Sequence, residues 1–122
     1  QASFTPPGLS IAISKDRAVG ALLHYEDYFA LNVLADDRYN KQMKQFLQPF
    51  PPGANRFSGL QVERSPKNQP ILPEALAWLE CCVAERMECG DHWLIYAKIH
   101  NGKVLDSKGV TAVHHRRTGA NY

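Results

Sequence analysis

This sequence predicts a mainly β fold, an antiparallel barrel of about six short strands with two or so short helices inserted. Three observations predict it. Apolar residues alternate with small or polar ones in several short runs, turn residues separate those runs, and beyond residue 57 the runs follow one another with no helical pattern between them. A doubly wound parallel sheet would need helices between its strands. Closure into a barrel is expected because it removes exposed strand edges. The 122 residues suit a single domain, and a 44% hydrophobic content is enough for one core without metals or disulfides as staples.

Each element follows from local pattern. Leu9, Ile11 and Ile13 alternate with Ser10, Ala12 and Ser14, the period of a half-buried strand, and Pro6, Pro7 and Gly8 fix its start. After Ser14 the period lengthens: Val19, Leu22 and Leu23 fall at helical spacing, with Ser14 or Asp16 as the cap. Residues 28–34 read as a strand with Phe29, Leu31 and Val33 on one face. Asp36 and Asp37 then cap a second helix carrying Tyr39, Met43, Phe46 and Leu47, which PFPPGAN stops. GLQVERS reads as a short strand and SPKNQPILPEA as a loop. LAWLECCVAERME forms a long strand with Leu79, Cys81 and Val83 on one face. DHWLIYAKIHNGKVL puts Trp93, Ile95, Ala97 and Ile99 on one side and His92, Leu94, Tyr96 and Lys98 on the other; Asn101 and Gly102 mark a turn. The tail from residue 109 offers one more strand before a basic end.

Charge and composition narrow the function. With 14 basic and 12 acidic residues the net charge is +2, which gives no general case for nucleic acid or an anionic membrane, so any anion site is local. No apolar run approaches the roughly 20 residues of a membrane span, and no signal-peptide pattern opens the chain, so a soluble, cytoplasmic protein is expected. Cys81, Cys82 and Cys89 have none of the usual zinc spacings. The neighbours Cys81 and Cys82 point to opposite faces of a strand, so free thiols in a reducing compartment and no metal site are expected. Gln1 is not a natural start, which makes the chain an expected fragment of a longer protein, missing its N-terminal portion.

Two stretches carry candidate chemistry. In SKDRA, Lys15, Asp16, Arg17 and Ala18 stand where a strand ends and a helix begins. Lys15 and Arg17 are either solvated surface charge or donors to a phosphate at the helix start, and the Asp16 carboxylate opposes the second role. In GDHW, His92 is either a surface residue beside a turn or a group that hydrogen-bonds or stacks on a planar ligand. His114 and His115 point to two faces of a strand and share no metal. The ending RRTGANY is either a mobile end or a contact to RNA or a nucleotide, with Tyr122 suited to stacking on a flat ring.

Taken in order, QASFTPPGLSIAI, SKDRAVGALL, YFALNVLADDRYNKQMKQF, NRFSGL, ALAWLECCV and GDHWLIYAKI resemble the flavin reductase-like, FMN-binding split-barrel family over almost the whole chain. QASFTPPG, SKDRAV and VTAVHHRRTGANY are similar, more narrowly, to the C-terminal flavin reductase module of cyanobacterial diflavin (flavodiiron) flavoproteins. The resemblance implies a Greek-key split β-barrel, FMN as cofactor, NAD(P)H as co-substrate and a homodimer. It also implies upstream diiron and flavodoxin-like domains in the same protein, through which electrons from NAD(P)H reach oxygen and yield water. Hydride passes from the nicotinamide C4 to the flavin N5. By position, main-chain groups of Gln1, Ala2, Ser3 and Phe4 meet the isoalloxazine edge, with the Ser3 side chain a further contact. Lys15, Asp16, Arg17 and Ala18 lie at the phosphate, and KDRA stands where the family carries an Asn/Ser/Thr motif. His92, the expected catalytic residue, lies close to flavin and nicotinamide, either positioning them or relaying a proton, and the segment 118–122 ending at Tyr122 closes over the cofactor. The competing readings are an FMN-binding split barrel without NAD(P)H activity, a nonenzymatic nucleic-acid-binding β-barrel using Trp93 and Tyr96 as stacking platforms, and a dimerisation module.

Overall fold

The computed structural model describes residues 1–51 and 53–112. The expected tail strand is therefore seen only at its start, where Thr111 bridges to Ala35 and the Ala112 N–H donates to the Leu34 carbonyl at 2.8 Å. The expectations for His114, His115 and Tyr122 lie outside the described residues.

A five-stranded antiparallel sheet dominates, in the order β1-β2-β7-β6-β3. Its strands are β1 Ser3–Phe4, β2 Pro7–Ser14, β3 Tyr28–Val33, β6 Ala77–Cys89 and β7 His92–Val104. A separate hairpin pairs β4 Glu63–Arg64 with β5 Pro70–Ile71. The alternation patterns are borne out. Leu9, Cys81 and Ala97 form one buried cluster with Ile11, Phe29, Leu79 and Ile99 against it. Leu23, Val83 and Ile95 form a second, flanked by Ile13 and Trp93. Burial pushes the Cys81 thiol up to about 11, helped by the charge of Glu80, so it packs as an apolar group.

Several expectations need correction. Among the described residues no ladder joins β3 to β1 or β2, so the sheet is split, and closure by continuous pairing is not found. The first helix is only a 3₁₀ turn, Ala18–Leu22, whose N-cap is Arg17 with no side-chain cap; neither Ser14 nor Asp16 takes that place. The second helix, α1 Asn40–Phe46, starts from Tyr39 and not from Asp36 or Asp37, and Tyr39 makes no side-chain cap. GLQVERS supplies only the two residues of β4, and the supposed loop after it contains β5.

Asn101 and Gly102 do not turn: β7 runs through them, with Asn101 opposite Glu80 and Gly102 opposite Leu79. His100 is an extra residue in β7 at that point, and the bulge shifts the alternation by one so that Gly102 meets the core side. A Cβ at Gly102 would sit 2.9 Å from both Leu79 Cδ2 and the Trp78 carbonyl oxygen. The glycine serves close strand packing, not a reversal of direction.

Candidate functional site

The two stretches that carry candidate chemistry are far apart in sequence and adjacent in space. Gly90, with φ +58, takes the left-handed conformation that lets β6 turn tightly into β7. That turn brings Asp91 and His92 beside the end of β2: Ser14 pairs with His92, and the Lys15 N–H donates to the Asp91 carbonyl at 2.9 Å. The chain then folds back, the Arg17 N–H donating to the Ser14 carbonyl at 3.0 Å and the Gly20 N–H to the Arg17 carbonyl at 2.9 Å.

Electrostatically this end is mixed. Lys15 is paired with Glu88, and its Nζ lies 5.3 Å from the centre of the Trp93 ring. The hydrogen bond and charge of Lys15 hold the Glu88 carboxyl below its usual range. His92 Nδ1 lies 2.8 Å from Asp91 Oδ1, which lowers the Asp91 carboxyl in the same way. The exposed carboxylates of Asp16, Glu88 and Asp91 thus accompany the cations Lys15 and Arg17 at this end of the sheet. A 3₁₀ turn of five residues also lacks the aligned dipoles of an α-helix, so the expected contribution of a helix start to phosphate binding falls away.

Residues 1–4 stand at the other end of β2. Ser3 pairs with Gly8 and Phe4 with Pro7, and the Ala2 N–H donates to the Gly8 carbonyl at 2.8 Å. The Gln1 side chain donates to the Ser3 carbonyl at 3.3 Å, and the Phe4 ring is 83% exposed. From Gly8 to Ser14 the strand covers about 20 Å. Between these ends the outward residues of β2, Ser10 and Ala12, are small and exposed, with Tyr96 and Leu94 of β7 as their register partners. The outward face of β2 thus forms a lane with Ser3, the partner of Gly8, at one end and SKDRA at the other. The roughly 20 Å from Gly8 to Ser14 is on the scale of an extended flavin mononucleotide, a planar ring joined by a polyol to a phosphate. His92 lies at the Arg17 end and is not brought together with residues 1–4 of the same chain.

Two features escape the sequence reading. A groove of about 440 Å³ adjoins the lane at Tyr96 and is lined also by Tyr25, Tyr28, Cys82, Lys98 and His100. Tyr28 and His100 stand with ring centres 5.8 Å apart, and Lys67 Nζ lies 5.2 Å from the Tyr28 ring centre. Arg86 lies inside the sheet's curve against Trp93, its guanidinium 3.9 Å from the ring centre. Alternating aromatics on β7 were the available signal for the groove; nothing in the local pattern signals Arg86.

The family described as flavin reductase like domain matches residues 1–121. Diflavin flavoprotein A 1 of Synechocystis sp. is 51% identical over 122 residues, covering all of this chain and 21% of that protein. The chain therefore spans about a fifth of the length of that relative. Among solved structures, the NADH:FAD oxidoreductase SgcE6 of Streptomyces globisporus C-1027 superposes with a TM-score of 0.83 at 24% identity, covering 90% of this chain and 65% of the other. An FMN-binding protein from Thermus thermophilus with bound p-hydroxybenzaldehyde gives 0.70 at 21% identity, covering 87% and 58%. Likeness at such identities establishes the fold, the split barrel expected from the resemblance, and no more.

Proposed function

The chain belongs to the flavin reductase-like domain family, and on that premise we propose that it is the NAD(P)H-dependent flavin reductase module of a diflavin flavoprotein. It binds FMN as a homodimer in the reducing cytoplasm. Electrons taken from NAD(P)H pass on through flavodoxin-like and diiron modules of the same protein towards oxygen. One observation carries the reading: SKDRA and GDH meet across β2 and β7, with Ser14 opposite His92, at the end of a lane the length of an extended mononucleotide.

FMN, when bound, supplies a ring that accepts hydride; the protein supplies binding, orientation and exclusion of water. Arg17 holds the phosphate, with the main chain of Asp16 and Ala18 alongside and Lys15 available once it leaves Glu88. Main-chain groups of Gln1, Ala2, Ser3 and Phe4 meet the ring edge. His92, oriented by Asp91, positions the ligand at the Arg17 end. The groove of Tyr25, Tyr28, Tyr96, Lys98 and His100, continuous with the lane near the ring end, receives the nicotinamide nucleotide, its rings stacking and its cations meeting phosphate.

The test is a visible absorption spectrum of the purified protein with and without FMN, followed by anaerobic addition of NADH or NADPH. A yellow complex bleached by either donor is expected. A protein that stays colourless at saturating FMN overturns the proposal. A yellow complex that neither donor bleaches moves the chain to the FMN-binding proteins that share this fold without using NAD(P)H.

A further inference from the structure

Arg86 occupies a place that strand alternation denies it. Leu79, Cys81 and Val83 face the core, so strict alternation sends Glu85 inward and Arg86 outward. The register instead steps from Val83 opposite Ala97 to Glu85 opposite Tyr96, leaving Ala84 as an extra residue. That bulge reverses the parity, and Arg86 stands opposite Ile95 on the side of Trp93.

From there its Nη1 donates to the carbonyls of Gly20 at 2.9 Å and Leu23 at 3.0 Å, and lies 3.4 Å from His24 Nδ1. Both carbonyls belong to the 3₁₀ turn Ala18–Leu22 or to the residue that ends it. Gly20 in turn donates its N–H to the Arg17 carbonyl, so two hydrogen-bonded steps join Arg86 to Arg17. Lys15, on the other flank of Arg17 in sequence, approaches the same indole. A turn of five residues with no side-chain cap has little stability of its own. Arg86 is one of the groups that fasten it to the sheet, beside the Leu23 side chain buried against Val83 and Ile95. The Nε of Arg86 is buried without a hydrogen-bond partner among the described residues, an uncompensated burial that a merely space-filling residue at this position would avoid.

We propose that Arg86 is a positioning residue for the anion end of the site: it ties the Ala18–Leu22 turn to β6 so that Arg17 is presented to the phosphate, and does not touch the phosphate itself. This inference rests on the reading that Arg17 receives the phosphate of FMN. Riboflavin, which carries the same ring and polyol without the phosphate, separates the two questions.

Dissociation constants for FMN and riboflavin, measured by quenching of flavin fluorescence, are compared for the unaltered protein, Arg86→Met, Arg86→Lys and Arg17→Ala. In Arg86→Met the FMN constant is expected to rise about tenfold while the riboflavin constant stays put, and Arg86→Lys, which keeps one donor and the charge over Trp93, to fall between. Adding Arg86→Met to Arg17→Ala should change little more, because both act on one contact. If the Arg86 variants weaken both flavins equally, or neither, while Arg17→Ala weakens FMN alone, Arg86 is only a brace of the fold and the inference is overturned. If Arg17→Ala also leaves the preference for FMN over riboflavin intact, the phosphate reading itself fails and takes the inference with it. Should Arg86→Met not fold, Arg86→Lys carries the same comparison.

Discussion

Glu80 and Arg86 lie on one strand, both charged and both drawn away from water, and the surroundings of each differ in a way that separates support from binding. Glu80 is only 2% exposed, and its carboxylate is consumed by the loop between β4 and β5. The Ser65 hydroxyl and the Lys67 N–H both donate to Oε2, the latter at 2.9 Å, while Ser65 Oγ accepts from the Gln69 N–H at 2.9 Å. Nearby, the Asn32 side chain donates to the Pro70 carbonyl and accepts from the Leu72 N–H. The contacts of Glu80 and Asn32 fasten the small hairpin to the sheet. At the Arg86 end, by contrast, the charges of Asp16, Arg17, Glu88 and Asp91 stand in solvent around a turn that is held from behind. Burial of a charge marks a brace here; exposed charge gathered at a strand end marks the place where a ligand can act.

The largest effect expected from this contrast is at Glu80. Glu80→Ala leaves the Ser65 hydroxyl and the Lys67 N–H without their acceptor, at about 1–3 kcal/mol for each, and a lowered urea midpoint with little change in slope should report it. The preference for FMN over riboflavin should be unaltered in whatever fraction remains folded. Arg17→Ala should behave in the opposite way. Removing an exposed side chain leaves the urea midpoint near its original value, while loss of a charge-assisted contact raises the FMN dissociation constant about 10- to 100-fold. If Glu80→Ala proved as stable as the unaltered protein, or Arg17→Ala lost stability instead of affinity, the division into brace and binding end would be wrong.

The binding end was more legible in the sequence than its support. Period-two alternation placed Leu9, Ile11, Ile95 and Ala97 on the core face correctly, since within an unbroken ladder the pleat allows nothing else. The Lys-Asp-Arg and Gly-Asp-His motifs drew attention through residue type alone, and the ladder between β2 and β7 brings them together. What alternation cannot reveal is where it breaks. The extra residues Ala84 and His100 each invert the pattern beyond them, which turned Arg86 inward and set Gly102 against Leu79. The expected helix after Ser14 is a single 3₁₀ turn, and Arg86 reaches the carbonyls of Gly20 and Leu23 from a distant strand, a tertiary contact that no local propensity contains. Glu80 read as one more polar residue because its partners, Ser65 and Lys67, lie in a stretch that looked like an unpaired loop.

Two ion pairs, one half-buried and one at the surface, sharpen the contrast at smaller scale. Arg38 Nη2 lies 2.6 Å from Asp106 Oδ2, and that pair, with the N–H groups of Lys108 and Gly109, holds the Asp106 carboxyl below its usual range. A carboxyl lowered by folding is protonated first in the unfolded chain, so its contribution is fully present above about pH 4 and is lost as the pH falls through the folded value. Asp106→Asn should therefore reduce the urea midpoint at pH 7 and cost less as the solution is acidified below pH 4. Glu88 is lowered in the same direction by Lys15, but it stands at the binding end. Its substitution removes a carboxylate from the neighbourhood of the phosphate and releases Lys15 to face it. Glu88→Gln should leave stability nearly unchanged and tighten FMN, without riboflavin, by about two- to fivefold at low ionic strength, the gain shrinking as salt screens it. A Glu88→Gln protein that bound FMN more weakly would mean that the Lys15–Glu88 pair itself shapes the turn, and the binding end would then owe its form to the pair as well as to Arg86.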